Sequence, residues 1–482
     1  MLIFRRTSQK VLDTSGSHLC GFARRERFVV KSKEWETLPL GKIATPFWGL
    51  VGLARKTSSN TLCFKTKSSL KGNYKMKRYG NIYPKIYDLN NLSRAFDEAA
   101  KDKHYYKEIK KLLPKKDLVI LKIHEMLKNQ TYKILPTSYK QKIIHEGNKG
   151  GKERELMKLK FYPHRIVQWA MILQIRDYLL KSFCYHSCSS VPNGGIARAH
   201  KLVTSYLKDE EGTQYCLKID VKKFYPNIDK EILKEKLKLK FKDEKLLWLL
   251  FTIIDSFPKD KGVPIGALFS QYAANFYLTD YDHFVKEELG EKYVVRYMDD
   301  IIFLNKSKSH LRKVLEITKK YWKENLNLDM KGNYQIFPVE KRGIDFVGFV
   351  FRHNSIRLRK SSELKIRKIS NTIQKHQKLT ERQFYAINSI VGYFQYYDSA
   401  PIYKQYILPI EHLVFKYYIE KVVWHLKEKD PALFLKRIEN YLKSLQSKFK
   451  STENDYKELD GMKLLMFYNS FKKIKFECFK TS

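Results

Sequence analysis

A chain of 482 residues, 43% hydrophobic and 14% aromatic, has length and apolar content enough to bury a core, which excludes both a disordered polymer and a disulfide-stapled mini-protein. Its 93 Lys and Arg face 51 Asp and Glu, a formal charge of +42, and self-repulsion of that size calls for a polyanionic partner, nucleic acid first. Six irregularly spaced cysteines form neither a disulfide framework nor, at Cys184 and Cys188, a complete zinc set, which fits a reducing compartment. The longest uncharged apolar runs, Ala44 to Ala54 and Leu246 to Ile254, fall short of the roughly 18 to 20 residues that span a bilayer, so no membrane-spanning helix is expected.

In chain order, residues 1–75 are rich in Ser, Thr and Arg, carry only Asp13, Glu26, Glu34 and Glu36 as acids, and hold no periodicity. They read as a poorly ordered basic extension: a presequence, a weakly ordered arm, or a stretch of reading frame upstream of Met76, the last being favoured. The spacing of Leu92, Phe96 and Ala99, then of Val119, Ile123 and Met126, predicts two amphipathic helices separated by Pro114. Strand-like runs at Tyr139 to His145 and Arg154 to Phe161, joined through Gly147, Asn148, Gly150 and Gly151, predict a hairpin carrying Lys149, Lys152 and Arg154. Pro163 is expected to open a helix through Ile166, Ala170, Leu173 and Ile175 that ends near Lys181.

The chemistry concentrates between Gln214 and Leu304. Tyr215 to Ile219 is a short β-rich run ending in Asp220, with Asp229 the expected N-cap of the next helix. Tyr293 to Leu304 reads as two apolar strands with Asp299 and Asp300 at their junction. Alone, an Asp-Asp pair in a turn is usually a solvated pair. Strands this apolar belong in a core, where adjacent carboxylates repel unless a divalent cation holds them. If Asp220 ends a neighbouring strand, three carboxylates converge and can hold two Mg²⁺ ions roughly 3.5 to 4 Å apart, the arrangement that aligns a hydroxyl with a nucleoside triphosphate.

At this point the motifs resemble a known family. Tyr297-Met298-Asp299-Asp300 resembles the YxDD box of reverse transcriptases, and Asp220 with Phe224-Tyr225-Pro226 resembles their first catalytic motif. Gly262 to Gly266, then Ser270-Gln271 and Ala274-Asn275, resemble the nucleotide-pocket motif; Lys152, Arg154 and Arg165 to Gln168 resemble fingers elements, and Asp345 to Phe349 the primer grip. The resemblance runs from about residue 77 to 400. Ile265 stands where many members carry Gln, and Gln271 where many carry Pro. Both features, with Asp282-His283-Phe284, resemble bacterial enzymes of the diversity-generating retroelement type and defence-associated, group II intron-like and retron-like relatives.

That resemblance implies an α+β right-hand polymerase: fingers with N-terminal helices over 76–210, a palm over 211–354, and a basic helical thumb and C-terminal region over 355–482. It implies a metal set of Asp220, Val221, Asp299 and Asp300 holding two Mg²⁺, with Mn²⁺ as substitute. Lys152, Arg154, Tyr225, Ile265, Gly266 and Gln271 would meet the nucleotide, Tyr225 as the aromatic that blocks a ribose 2′-hydroxyl, though Tyr225 also reads as an ordinary core aromatic. Arg165, Arg357, Arg359 and Lys360 would meet nucleic acid, while Arg165 and Arg296 also read as salt-bridged structural residues. Tyr393, Phe394, Tyr396, Tyr397, Tyr403 and Tyr406 read equally as stacking platforms or as core. The implied function is RNA-directed DNA synthesis in a bacterial cytoplasm, on a dedicated structured RNA with a DNA product, in anti-phage defence. A mutagenic enzyme diversifying a target gene, and a non-catalytic RNA-binding scaffold or splicing helper, are the alternatives.

Overall fold

The computed structural model describes residues 78–146, 152–423, 426 and 430–447. The expected basic extension over 1–75 and the glycine-rich turn at 147–151 lie outside the described residues.

Helix α1 (Leu89–Ala100) starts where the Asp88 carboxylate accepts from the Asn91 amide, and it buries Leu92, Ala95, Phe96 and Ala99 on one stripe. Beyond Pro114, α2 (Lys116–Lys128) packs Val119, Ile120, Ile123 and Leu127 inward and leaves Met126 at the margin. Strands β1 (Tyr139–Glu146) and β2 (Lys152–Leu159) pair antiparallel from Tyr139 opposite Leu159 to Glu146 opposite Lys152, the hairpin that the two strand-like runs predict. Pro163 opens a helical run as expected: Tyr162 before it is extended, with ψ 137°, the backbone is helical from Pro163 on, first as a wider turn, and it continues as the regular helix α3 (Ile166–Leu180).

The middle of the chain is built on a four-stranded antiparallel sheet. Strands β3 (Tyr215–Asp220), β4 (Tyr293–Tyr297), β5 (Asp300–Asn305) and β6 (Gln335–Pro338) lie in the order β4-β5-β3-β6. Both faces are covered, which is why these strands are apolar almost throughout. One face sets Leu217, Ile219, Ile301 and Phe303 into the main core with α1, α2 and α3; the other sets Cys216, Val295, Ile302 and Leu304 into a second core. Packed around the sheet are α4 (Gly195–Tyr206), α5 (Lys230–Lys240), α6 (Glu244–Asp255), α7 (Leu268–Tyr277), α8 (Thr279–His283) and α9 (Lys308–Leu326), the last anchored by a fully buried Trp322. Asp229 caps α5 as expected, accepting from the amides of Glu231 and Ile232.

A three-stranded antiparallel sheet follows, β7 (Ile344–Phe346), β8 (Phe349–Phe351) and β9 (Ile356–Leu358), and leads into helices α10 (Lys360–His376), α11 (Glu381–Val391), α12 (Glu411–Tyr417) and α13 (Pro431–Ser447). These helices share their own core, centred on Ile366, Ile373, Phe384, Ile387 and Ile410. Tyr403 and Tyr406 are each only 8% exposed and belong to that core, so neither is a free stacking platform. No helix of the described residues is long and apolar enough to cross a membrane.

Candidate active site

Pairing of β3 with β5 sets Asp220 directly opposite Asp300, and pairing of β4 with β5 closes a two-residue turn of Met298 and Asp299. Met298 has φ +62°, a left-handed backbone that an unbranched non-glycine residue adopts only at a cost. Two like charges facing each other across a strand pair repel. Two lysines answer them: Lys218 Nζ lies 3.2 Å from Asp300 Oδ2, and Lys331 Nζ lies 2.9 Å from Asp220 Oδ2. Lys331 also donates its amide to the Asp220 carbonyl across the bridge between Val221 and Met330. Val221 is buried beside Asp220.

Cation is still in short supply. Burial first, then the charge of Asp220, pushes the Asp299 carboxyl up to about 7. Burial raises Asp300 to about 6 even though Lys218 pulls the other way. Asp300 Oδ1 is buried without a hydrogen-bond partner, which is costly for a carboxylate oxygen. Among the described residues no group of three or more His, Cys, Asp and Glu side chains forms a ready-made metal cage. Mg²⁺ seldom uses one: it takes one or two carboxylates, keeps waters and completes its shell with substrate phosphates. Opposed hard oxygens, an orphaned carboxylate oxygen and proton affinities raised by burial first and then by neighbouring carboxylates fit such an ion, with Asp220, Asp299 and Asp300 as the donors.

The residues expected at the nucleotide come together from distant segments. Met157 of β2 donates its amide to the Ile265 carbonyl at 3.1 Å, tying the β1–β2 hairpin to the 262–266 loop. Val263 N donates to the Tyr225 carbonyl at 3.0 Å and Gly262 N to the Ile228 carbonyl at 2.7 Å, so the turn after Asp220 is fastened to the same loop. Gly266 has φ +106° and is exposed, with only the Met157 carbonyl, 3.8 Å away, near where a Cβ would stand. Phe224 is buried at 2% exposure while Tyr225, its neighbour in a short helical turn over Phe224–Asn227, is half-buried. Ile265 and, on α7, Gln271 are half-buried. Lys152 and Arg154 lie on the backbone of β2, opposite Glu146 and Ile144; their side chains fall outside the described part.

Of the cations expected at nucleic acid, Arg357 and Lys360 are exposed, on β9 and at the first position of α10. Arg359 is engaged: it pairs with Asp345 at 2.6 Å and donates its amide to the Gly348 carbonyl, fastening α10 to the β7–β8 turn. Arg165 is half-buried at the entrance to α3. Tyr393, Tyr396 and Tyr397 pack edge-on against Phe349 of β8. Arg296, which the sequence leaves open as a salt-bridged residue, is fully buried against Asp282.

Sequence reasoning missed Lys218 and Lys331. Lys218 had a signal: it sits two residues before Asp220 on a buried strand, hence on the same face, where a carboxylate needs a cation. Lys331 had none, because its meeting with Asp220 depends on a contact across 111 residues of chain.

Residues 147–351, which contain all of these carboxylates, match the family described as reverse transcriptase (RNA-dependent DNA polymerase). The stretch is a reverse transcriptase domain, and the architecture around it is the α+β right-hand polymerase fold. The family's activity, RNA-directed DNA polymerisation, is a nucleotidyl transfer. Among solved structures, telomerase from Candida albicans in complex with a TWJ fragment of telomeric RNA aligns at 13% identity over 67% of this chain and 63% of that one, with a TM-score of 0.38. Apo telomerase from Candida tropicalis aligns at 15% identity over 64% and 62%, also at 0.38. The chain thus spans somewhat under two thirds of each of those telomerase chains.

Proposed function

We propose that this protein is an RNA-directed DNA polymerase that extends a DNA strand by two-metal catalysis. The observation that carries the reading is the opposition of Asp220 and Asp300 with Asp299 at the adjoining turn, inside the reverse transcriptase domain. In this reading Mg²⁺ supplies charge neutralisation at the reacting phosphate and an acidified primer hydroxyl. The chain's own residues do the rest. Asp220, Asp299 and Asp300 hold the ions, and Lys218 and Lys331 balance the carboxylates in their absence. Lys152 and Arg154 on β2 reach the triphosphate, Gly266 lets backbone approach the nucleotide, and Tyr225 fills the space a 2′-hydroxyl would need. Fingers over 76–210, palm over 211–354 and thumb from 355 onward are the corresponding subdomains.

The template is proposed to be a dedicated structured RNA. Support comes from the +42 charge and from exposed Arg357 and Lys360 beside the β7–β8 hairpin. Resemblance of the pocket motif to defence-associated bacterial enzymes supports anti-phage defence in the cytoplasm as the setting. Ile265 favours one second reading, a mutagenic enzyme, because an apolar side chain at the pocket cannot pair with a base edge and discriminates less. The experiment is primer extension by the full chain on RNA templates with deoxynucleotides and Mg²⁺, with sequencing of the nucleic acid that copurifies. Extension that survives Asp299→Ala with Asp300→Ala would refute the assignment.

A further inference from the structure

Behind the Met298–Asp299 turn lies a guanidinium with no exposed surface. Arg296 has five N–H donors, and all five are used. Nε donates to Asp282 Oδ1 at 2.7 Å and Nη2 to Asp282 Oδ2 at 2.5 Å, a bidentate pair. The second Nη2 hydrogen goes to Ser187 Oγ at 2.7 Å, and Nη1 divides between Asn275 Oδ1 at 3.0 Å and the Met298 carbonyl at 2.9 Å. The acceptors come from the 184–194 segment, from α7, from α8 and from the turn itself. His186 adds a contact to Asp282 at 3.4 Å, and Asn275 Nδ2 donates to the Ser189 carbonyl at 2.7 Å.

A buried arginine that served only to neutralise Asp282 would need two of these bonds. The bond to Met298 has a separate consequence. Met298 is held left-handed, and its carbonyl belongs to the same peptide plane as the Asp299 amide. Fixing that oxygen fixes the plane from which Asp299 departs, and with it the start of β5 at Asp300. Asn275, two turns along α7 from the 262–266 loop, receives the other Nη1 hydrogen, so one group connects the nucleotide loop's helix to the carboxylate turn.

We propose that Arg296 is a positioning residue for the metal site: its guanidinium holds Met298 in the left-handed turn that aims Asp299 and Asp300 at the cation. The inference rests on the metal site proposed above. Lysine cannot replace it, since a single ammonium has three donors in no fixed plane and cannot hold both Asp282 oxygens and the Met298 carbonyl together.

The test is a double-mutant cycle read by Mn²⁺ binding to the full chain, with free Mn²⁺ measured by its paramagnetic resonance and thermal melting followed on every variant. Loss of a group that orients metal ligands costs about 10- to 100-fold in metal affinity, so Arg296→Lys should weaken Mn²⁺ binding at least about tenfold. In the Met298→Gly background the turn no longer needs to be held, because glycine adopts positive φ freely, and the same lysine substitution should cost about threefold or less. Equal losses in the two backgrounds, or no loss in either, would overturn the proposal and leave Arg296 as packing, with the metal site intact. Failure of the unsubstituted protein to bind Mn²⁺ and to extend a primer would overturn the metal site and the inference together. If Arg296→Lys does not fold, Ser187→Ala, which removes one acceptor and leaves no buried charge, carries the test: a two- to threefold weakening that disappears with Met298→Gly supports the proposal, and unchanged binding overturns it.

Discussion

Asp220 stands opposite Asp300 across β3 and β5, with a lysine on each and an Asp300 oxygen that no protein group meets. The pair is arranged for a positive ion that side chains alone do not replace. Asp300→Asn removes one of the two facing charges, so in the absence of divalent metal it should raise the melting temperature or leave it unchanged. In primer extension the same substitution, and Asp220→Asn, should lower the rate by at least about 10²-fold at any Mg²⁺ concentration, the scale of removing a charge stabiliser at the reacting centre. A variant that loses stability in metal-free buffer and keeps its rate would reverse both halves of this expectation.

Tyr225 and Phe224 divide one turn between them, Phe224 in the core and Tyr225 half-exposed beside the 262–266 loop. Truncating Tyr225 to Ala removes less buried surface than truncating Phe224, so melting should change less than for Phe224→Ala, which costs about 3 to 5 kcal/mol for a buried ring. Incorporation of ribonucleotides relative to deoxynucleotides should rise with Tyr225→Ala. Steady-state competition between the two nucleotide types reads the ratio, and a fall in both rates without a change in ratio would make Tyr225 a packing residue.

The two glycines of that loop should respond differently. A Cβ at Gly262 would stand 2.8 Å from the Pro226 carbonyl oxygen, and the residue has φ +94°. Gly262→Ala meets both a clash and a strained backbone, so it should destabilise by more than the ~1–2 kcal/mol of a left-handed residue alone. Gly266→Ala meets only the Met157 carbonyl at an ordinary contact distance, and so carries only the backbone cost. Its effect should appear in nucleotide KM more than in melting, because the exposed face of the loop is what changes. Equal melting losses would mean the space beside Gly266 is filled in solution.

Arg296 beside Asp282, a hydrogen bond from His186 and the Arg296 fork together outweigh burial and hold the Asp282 carboxyl down to about 2. A carboxyl depressed in the folded state stabilises above its unfolded value near 3.8 and loses that contribution as pH falls toward 2. The groups facing it are His186, Arg296 and, by charge, Lys236. Asp282→Asn should cost about 2 kcal/mol or more at neutral pH, from the shift and from the unpaired guanidinium. The difference in melting temperature from the parent should shrink between pH 4 and pH 2. A constant difference over that range would place the ion pair's worth elsewhere.

Much of this site is legible in sequence because its parts are local. Strand alternation around Asp220, an apolar hairpin interrupted by Asp299 and Asp300, and the Asp229 cap each depend on neighbours within a few residues. What is not legible is contact at long range. Lys331 reaches Asp220, and Ser187 and Asn275 reach Arg296, only once the sheet and helices have packed. The entry into α3 is legible at Pro163, because a proline fixes a helical φ for itself and favours an extended backbone at its predecessor, here Tyr162. The tyrosines after 390 were ambiguous because a ring that stacks on a base and a ring that fills a core are the same residue, and only packing against Phe349 and the α10–α13 core separates them.

The remaining prediction concerns charge. With +42 to neutralise, RNA binding should use many phosphate contacts, and release of condensed counterions makes log affinity fall steeply and linearly with log salt. Arg357→Ala and Lys360→Ala remove exposed cations, so each should reduce the slope by about 0.7 to 0.9 and weaken every RNA to a similar degree. Arg359→Ala should behave otherwise, because its partner Asp345 is left behind and the β7–β8 turn loses its tie to α10, so extension should suffer more than binding. Filter binding across a salt series separates the two outcomes. A copurifying RNA should stay bound better than a scrambled RNA of equal length at high salt, where only contacts to folded shape and splayed bases persist. If the two RNAs bound equally across the whole series, a dedicated RNA would be refuted, and the protein would be a polymerase that takes any template its charge attracts.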